Sequence, residues 1–311
     1  MKRTIQAMIS LSIFFIVAGN CCIGVQAAEM SANTTNAPPG RYALIAWNDL
    51  GMHCMDNHYS VFAILPPYNN LHVQLIDRLT GKLVSSGVSI TYEATMDTHG
   101  SINTTSSGKT DFWDWAFPLF GVSPAVDIGL AGNPVQSLIP ALTTFDKLLW
   151  LWKADGIPTV PYDDAGLPNY YPMVKVVAKD RRDNILAVTK TVLPVSDELA
   201  CSTCHSSGSD AQQFSGSVYD PDPNRDWKRN ILLLHDYKNM DHPAYAELYA
   251  AALAQNGYKS TGLLATSDSG TPILCANCHA SNALGTPGVS GIKQLTMSIH
   301  SWHSVNAMDD N

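Results

Sequence analysis

The sequence predicts a two-part fold: a mainly β, sandwich-like domain over residues 41–195, then a helix-and-loop segment over residues 196–311. Three observations predict it. Stretches rich in β-branched and aromatic residues recur up to Val195, with turn-forming sequences between them. At "PVSDELACSTCH" the pattern changes to helical periodicity and loops. The pattern C-x-x-C-H occurs twice, both times after that change.

Residues 1–27 are expected to precede the fold as a cleaved signal peptide. "MKRT" gives a positive start, "MISLSIFFIVAG" an apolar run of leader length, and Val25 and Ala27 the small residues before a cut. Cys21 and Cys22 raise a lipoprotein alternative, which Asn20 fits poorly; an uncleaved anchor is the third. Residues 28–40, ending in "APPG", form a polar linker. Strands are expected at Arg41–Trp47, Leu71–Asp77, Val88–Thr95, Tyr171–Asp180 and Asn184–Leu193, with hairpin turns at "RLTGK" and "DRRDN". The spacing of these strands suggests a sandwich. Residues 98–162, rich in Gly, Pro, Trp and Phe, carry no clear pattern; "FDKLLWLWKADG" within them reads as strand or short helix.

The second part carries three helical patterns. "NRDWKRNILLLH" opens on Asn224 as a cap and places Trp227, Ile231, Leu232 and Leu234 as its apolar residues. "HPAYAELYAAALAQNGY" has Pro243 near its first turn and Gly257 just past its end. "GIKQLTMSIHSWHSVNAM" is the third. The run "DPDPNRD" imitates a calcium loop but has prolines where such a loop needs its glycine and lacks its closing glutamate, so it reads as a turn and helix cap.

Cleavage after Ala27 would remove Lys2 and Arg3, leaving 17 basic residues against 27 acidic ones. That balance excludes a basic nucleic-acid surface. It suits solubility and docking to basic patches on a partner. No other segment is long and apolar enough to cross a membrane.

The chemistry concentrates in "CSTCH" (Cys201–His205) and "CANCH" (Cys275–His279). C-x-x-C-H is the signature of covalent haem attachment. Thiols three positions apart reach the two vinyl groups of one haem, and the histidine that follows is placed to bind the iron. Two such motifs imply two c-type haems, held by Cys201, Cys204, Cys275 and Cys278, with His205 and His279 on the irons. A four-cysteine zinc ribbon usually puts about 15–20 residues between its pairs; here some 70 separate Cys204 from Cys275. Local disulfides are the other alternative in an exported chain. A thioredoxin-type motif would need a βαβ setting that neither site has.

Each iron needs a sixth ligand or an open site. His235 lies 30 residues after His205, while His300 and His303 follow His279 by about 20 and share a helix face. His242, Met240, Met297 and Met308 are rival candidates. "GMHCMDNHYS" (Gly51–Ser60) holds the odd cysteine of the exported chain, Cys54, between His53 and His58. His53 is a candidate distal ligand reaching across from the β domain. A separate metal on His53, Cys54 and His58, or a buried thiol with no chemistry, are the alternatives.

"AWNDLGMHCMD…YSVFAILPPYNNLH", "LPVSDELACSTCH", "YDPDPNRDWKRNILLLHD" and "GTPILCANCHASNALG…IHSWH" together resemble exported multihaem c-type cytochromes of anaerobic and metal-respiring bacteria. The likeness runs from Arg41 to about His303. It implies covalent haem c, axial histidines and electron transfer in the periplasm or outside the cell. Partners would be redox proteins, other multihaem cytochromes or an extracellular electron acceptor. Membrane contact is expected only if the leader is uncleaved or lipidated. Relatives of this kind carry a further C-x-x-C-H downstream, so the chain is expected to be a shortened relative or a truncated reading frame of a longer one. The expected function is one-electron transfer by a dihaem cytochrome with mainly bis-histidine ligation. The alternative is a dihaem oxidoreductase with one open iron, a peroxidase or small-oxyanion reductase.

Overall fold

The computed structural model describes residues 40–197, 201–213 and 215–306, without the side chains of residues 302, 305 and 306. The expected signal peptide with Cys21 and Cys22, the linker up to Pro39, and Met308 lie outside the described residues. β1 (Tyr42–Trp47) is followed by two two-residue strands, β2 (His53–Cys54) and β3 (Phe62–Ala63), and then by β4 (Tyr68–Asp77). The turn at "RLTGK" leads to β5 (Lys82–Leu83), with Gly81 at φ 67°. β6 (Val88–Ala94) precedes the stretch that the sequence left without a pattern. That stretch holds helix α1 (Phe112–Phe120), β7 (Ala141–Leu142), β8 (Thr144–Asp146) and β9 (Leu151–Pro158). "FDKLLWLWKADG" is therefore a strand, a turn and a strand. β10 (Met173–Asp180) and β11 (Ile185–Val192) form the expected hairpin around "RRDN", and β12 (Val195–Ser196) ends the β-rich part.

Two antiparallel sheets result, ordered β1-β4-β9-β8 with β5 beside β4, and β11-β10-β6-β7. Alternate residues of each strand point to one face. Leu71, Val73 and Leu75 of β4 thus meet Ile90 and Tyr92 of β6 and Val174, Val176 and Ala178 of β10 in one buried core. This agrees with the expected sandwich-like packing of a mainly β region.

The second part is helical. α2 (Ser202–His205) is a single turn. α3 (Pro223–Asn239) starts one residue before the expected cap: the Asp222 side chain accepts the Asn224 N–H at 2.9 Å, and Pro223 sits in the first turn. Proline's fixed φ suits that first position, which moves the cap from Asn224 to Asp222. α4 (Ala246–Gln255) is followed by Gly257 at φ 68°, where the left-handed backbone favours glycine. α5 (Leu263–Asp268), β13 (Ile273–Leu274) and α6 (Leu295–Asn306) complete the order. Trp227, Leu232, Tyr249, Leu253, Leu263 and Ile273 pack on Val61 and Phe62, so this core draws on both parts of the chain.

Short parallel pairings join the two parts. β2 pairs with β12, Val195 opposite His53, and β3 pairs with β13, Ile273 opposite Phe62. On the other side of β3, Phe112, Ala116 and Leu119 of α1 bury against Tyr59, Ala63, Leu274 and Ala276. The stretch from His53 to Ala63 is thus the seam of the fold.

His53 is 4% exposed in this seam, its ring 4.4 Å from that of Tyr68 and its Nε2–H donating to the Pro66 carbonyl at 2.8 Å. Burial lowers its pKa from the ordinary 6.5 to about 4. Between those values the unfolded chain binds a proton that the folded chain does not, so stability is lost as the pH drops through the window and levels off below it. The linked loss for this group is on the order of 3 kcal/mol. Urea unfolding from pH 7 to pH 4 is expected to show a shallower pH dependence for His53→Gln than for the unaltered chain.

Candidate functional site

Both C-x-x-C-H motifs adopt the same hydrogen-bonded turn. The N–H groups of Cys204 and His205 donate to the Cys201 carbonyl at 3.2 and 2.9 Å, and those of Cys278 and His279 to the Cys275 carbonyl at 3.2 and 3.0 Å. Each turn brings two thiols and an imidazole to one local surface. Each also follows one of the seam pairings: β13 runs directly into Cys275, and β12 ends five residues before Cys201. Cys201 and Cys275 both pack against the cluster around Phe62 and Trp227. Beyond the second motif the chain folds back tightly. The Val289 N–H reaches the Cys278 carbonyl at 2.8 Å, and a Cβ on Gly288 would sit 2.3 Å from the Ala280 nitrogen. Only glycine fits that approach.

The motif cysteines are thiols, not disulfides, in the structure. Burial raises the pKa of Cys201 and Cys278 and pushes that of Cys275 up to about 12. Redox-active C-x-x-C pairs need a depressed thiol pKa, so these sites do not have the electrostatics of a thioredoxin-type centre.

The histidines form two pairs. The rings of His205 and His303 lie 6.3 Å apart at 84°, and those of His235 and His279 lie 6.4 Å apart at 89°. Each pair joins the histidine of one motif to a histidine from elsewhere. The pairing crosses the chain order: His303, on α6 beyond the second motif, meets the first, and His235, on α3 after the first motif, meets the second. His300, one of the expected candidates, is exposed on α6 and stands in neither pair.

In all four rings the Nδ1 side is turned to the polypeptide. The His279 Nδ1–H donates to the Lys293 carbonyl at 2.8 Å and the His303 Nδ1–H to the Ile299 carbonyl at 2.6 Å. His205 and His235 instead accept at Nδ1 from the side-chain NH2 groups of Gln212 and Asn239, each at 3.5 Å. A proton held on Nδ1, as in His279 and His303, leaves the Nε2 lone pair for a metal. Burial and the neighbouring imidazole lower the pKa of His205 and bring that of His235 to about 4, keeping both rings neutral. Two imidazoles coordinating one ion from opposite sides at about 2 Å per bond have centroids roughly 6 Å apart. The ring spacing, and in His279 and His303 the tautomer, are compatible with an iron held between the two rings of each pair. Neither pair is a cage for a bare ion: among the described residues no group of three or more His, Cys, Asp or Glu side chains is placed to hold one.

The other candidates are engaged in the fold. His53 is held by the Pro66 carbonyl. His58 faces Asp111 at 3.4 Å and has Nδ1 at 3.2 Å from the Ser60 hydroxyl. Cys54 lines a small pocket with Cys201, Asp56 and Trp227. His242 stacks on Tyr245 at 4.4 Å and accepts the Ala244 N–H. Met240 and Met297 are largely on the surface. In "DPDPNRD", Asp220 bridges Arg225 and Arg229, Asp222 caps α3, and Asp226 accepts from Ser207; the run is a turn and cap, as expected.

Lys228 and Asp56 escaped the sequence reading. Lys228 is completely buried; its Nζ donates to Asp56 at 2.7 Å and to the carbonyls of Phe62 and His58, and lies 4.4 Å over the Phe62 ring. Asp56 Oδ2 accepts the N–H groups of Ile64 and Leu65. The one available signal was a helical stripe, since Lys228 stands four residues before buried Leu232. No protein-family model matches the chain, and no curated protein is similar to it in sequence.

Removing one partner of a buried ion pair costs about 3–5 kcal/mol. Lys228→Met is expected to lower the free energy of unfolding by about that much, read by urea denaturation. Lys228→Met with Asp56→Asn is expected to recover part of the loss.

Proposed function

We propose that the chain is an exported dihaem c-type cytochrome that relays single electrons. In this reading Cys201 and Cys204 would hold one haem as thioethers, with His205 and His303 as the ligands of its iron, and Cys275 and Cys278 would hold the other, with His279 and His235. The observation that carries this reading is the pair of histidine couples, 6.3 and 6.4 Å between ring centres, each containing the histidine of one C-x-x-C-H motif. When bound, each haem supplies an iron that cycles between Fe(III) and Fe(II).

The protein's residues do the rest. Nδ1–H bonds to backbone carbonyls fix the rings of His279 and His303 and leave Nε2 as the donor. The common cluster against Cys201 and Cys275 keeps the two attachment points on one apolar core, which supports transfer between them. A second imidazole at each motif histidine leaves no open position for a substrate. That favours a relay over a peroxidase or small-oxyanion reductase. Partners in this reading are redox proteins, other multihaem cytochromes or an extracellular acceptor, met in the periplasm or outside the cell.

His303→Ala is expected to turn one haem high-spin, and His235→Ala the other, in the ferric absorption and electron paramagnetic resonance spectra. His300→Ala is expected to leave both unchanged. Low-spin spectra that survive the first two substitutions, singly and together, would overturn the ligand assignment.

A further inference from the structure

We propose that the hairpin end of the β-sandwich is a docking face for an anionic lipid bilayer. Three hairpins leave the sheets at one end. β1 begins there, with Tyr42 opposite Asp77; the β4–β5 turn follows Asp77; β9 runs antiparallel to β4 from the β8–β9 turn. The second sheet brings its β10–β11 turn to the same end, since Asp180 lies opposite Val88, and the Arg181 side chain reaches Gly87.

The tips are apolar where water should select polar residues. Leu148 is 96% exposed, Leu79 78%, and Leu149 and Trp150 55% each. The β8–β9 tip is a built feature. The Asp146 carboxylate accepts the N–H groups of Leu148 and Leu149, and the Trp150 ring rests 5.5 Å from that of Phe145. Trp150 itself takes φ 58°, a conformation uncommon outside glycine. Exposed tryptophan and leucine beside basic residues are the composition that enters a membrane interface.

The charge around the tips runs against the rest of the chain. The protein carries a net charge of −8, yet Arg78, Lys82, Lys147, Arg181 and Arg182 are all exposed at this end. Of the nearby carboxylates, Asp77 pairs with Arg41, Asp146 pairs with Lys153 and Asp180 accepts the N–H groups of Arg182 and Asn184, which leaves the exposed Asp183 against five exposed basic residues. Basic residues at a surface gain from anionic lipid, an attraction that salt screens. This face extends the expectation that membrane contact depends on the leader alone, and it is independent of the haem assignment.

Flotation of the exported, processed chain with phosphatidylglycerol-containing vesicles is the test, with phosphatidylcholine vesicles as the neutral control. Binding to the anionic vesicles, weakened by salt, is expected. Leu148→Glu with Trp150→Glu, and separately Arg78→Glu with Lys82→Glu, should each cut it at least tenfold while the circular dichroism stays unchanged. No binding to anionic vesicles would overturn the proposal, as would binding that both folded variants retain. Sedimentation showing that these tips instead join two copies of the chain would also overturn it.

Discussion

The ammonium of Lys228 is the point on which the rest of the structure depends. It sits in the core of the second part, yet its three acceptors, Asp56 and the carbonyls of His58 and Phe62, all belong to the first. A charge removed from water needs a full set of partners, and only a tightly coiled stretch from Asp56 to Phe62 supplies this one. Asp56 in turn fixes the backbone of Ile64 and Leu65. With that stretch fixed, β2 and β3 lie where β12 and β13 can pair with them, and each pairing leads into a C-x-x-C-H turn. The ion pair therefore anchors the stretch from which both pairings are made.

The crossed histidine pairs have a structural consequence. His303 comes from the last described helix and meets the first motif, while His235 comes from between the motifs and meets the second. Under the proposed function, each bound group would tie together parts of the chain that are distant in sequence: His205 and His303 are 98 positions apart and His235 and His279 are 44 apart. Filling either site would then restrict the unfolded chain as a cross-link does. α6 gains most, because its described residues are largely exposed and its polypeptide packing is slight.

Much of the β region was legible because strand residues alternate and turns have strong chemistry: "RLTGK" and "DRRDN" both lie at hairpins. The middle was not. α1 is made of aromatic residues with Pro118 inside, a composition with weak helix propensity, and it forms through burial against Tyr59 and Leu274. The motif turns could be read from spacing alone, since the hydrogen bonds that define them are local. The partners of His205 and His279 could not. Distance along the chain set His235 nearer the first motif and His303 nearer the second, and only the tertiary path of α3 and α6 reverses this. "GMHCMDNHYS" drew notice for its histidines and cysteine. Its structural weight falls instead on Asp56, whose role depends on a lysine 172 residues away.

Under the proposed function two C-x-x-C-H turns, each faced by a second imidazole, would hold two haems with two histidines on each iron. The most direct measurement is the pyridine haemochrome content per chain, taken with the ferric spin state of the protein as exported. Two covalent haems per chain, both low-spin, is the result expected. Chains exported in folded form without covalent haem would contradict the account, and two haems of which one is high-spin would contradict the ligand pairing.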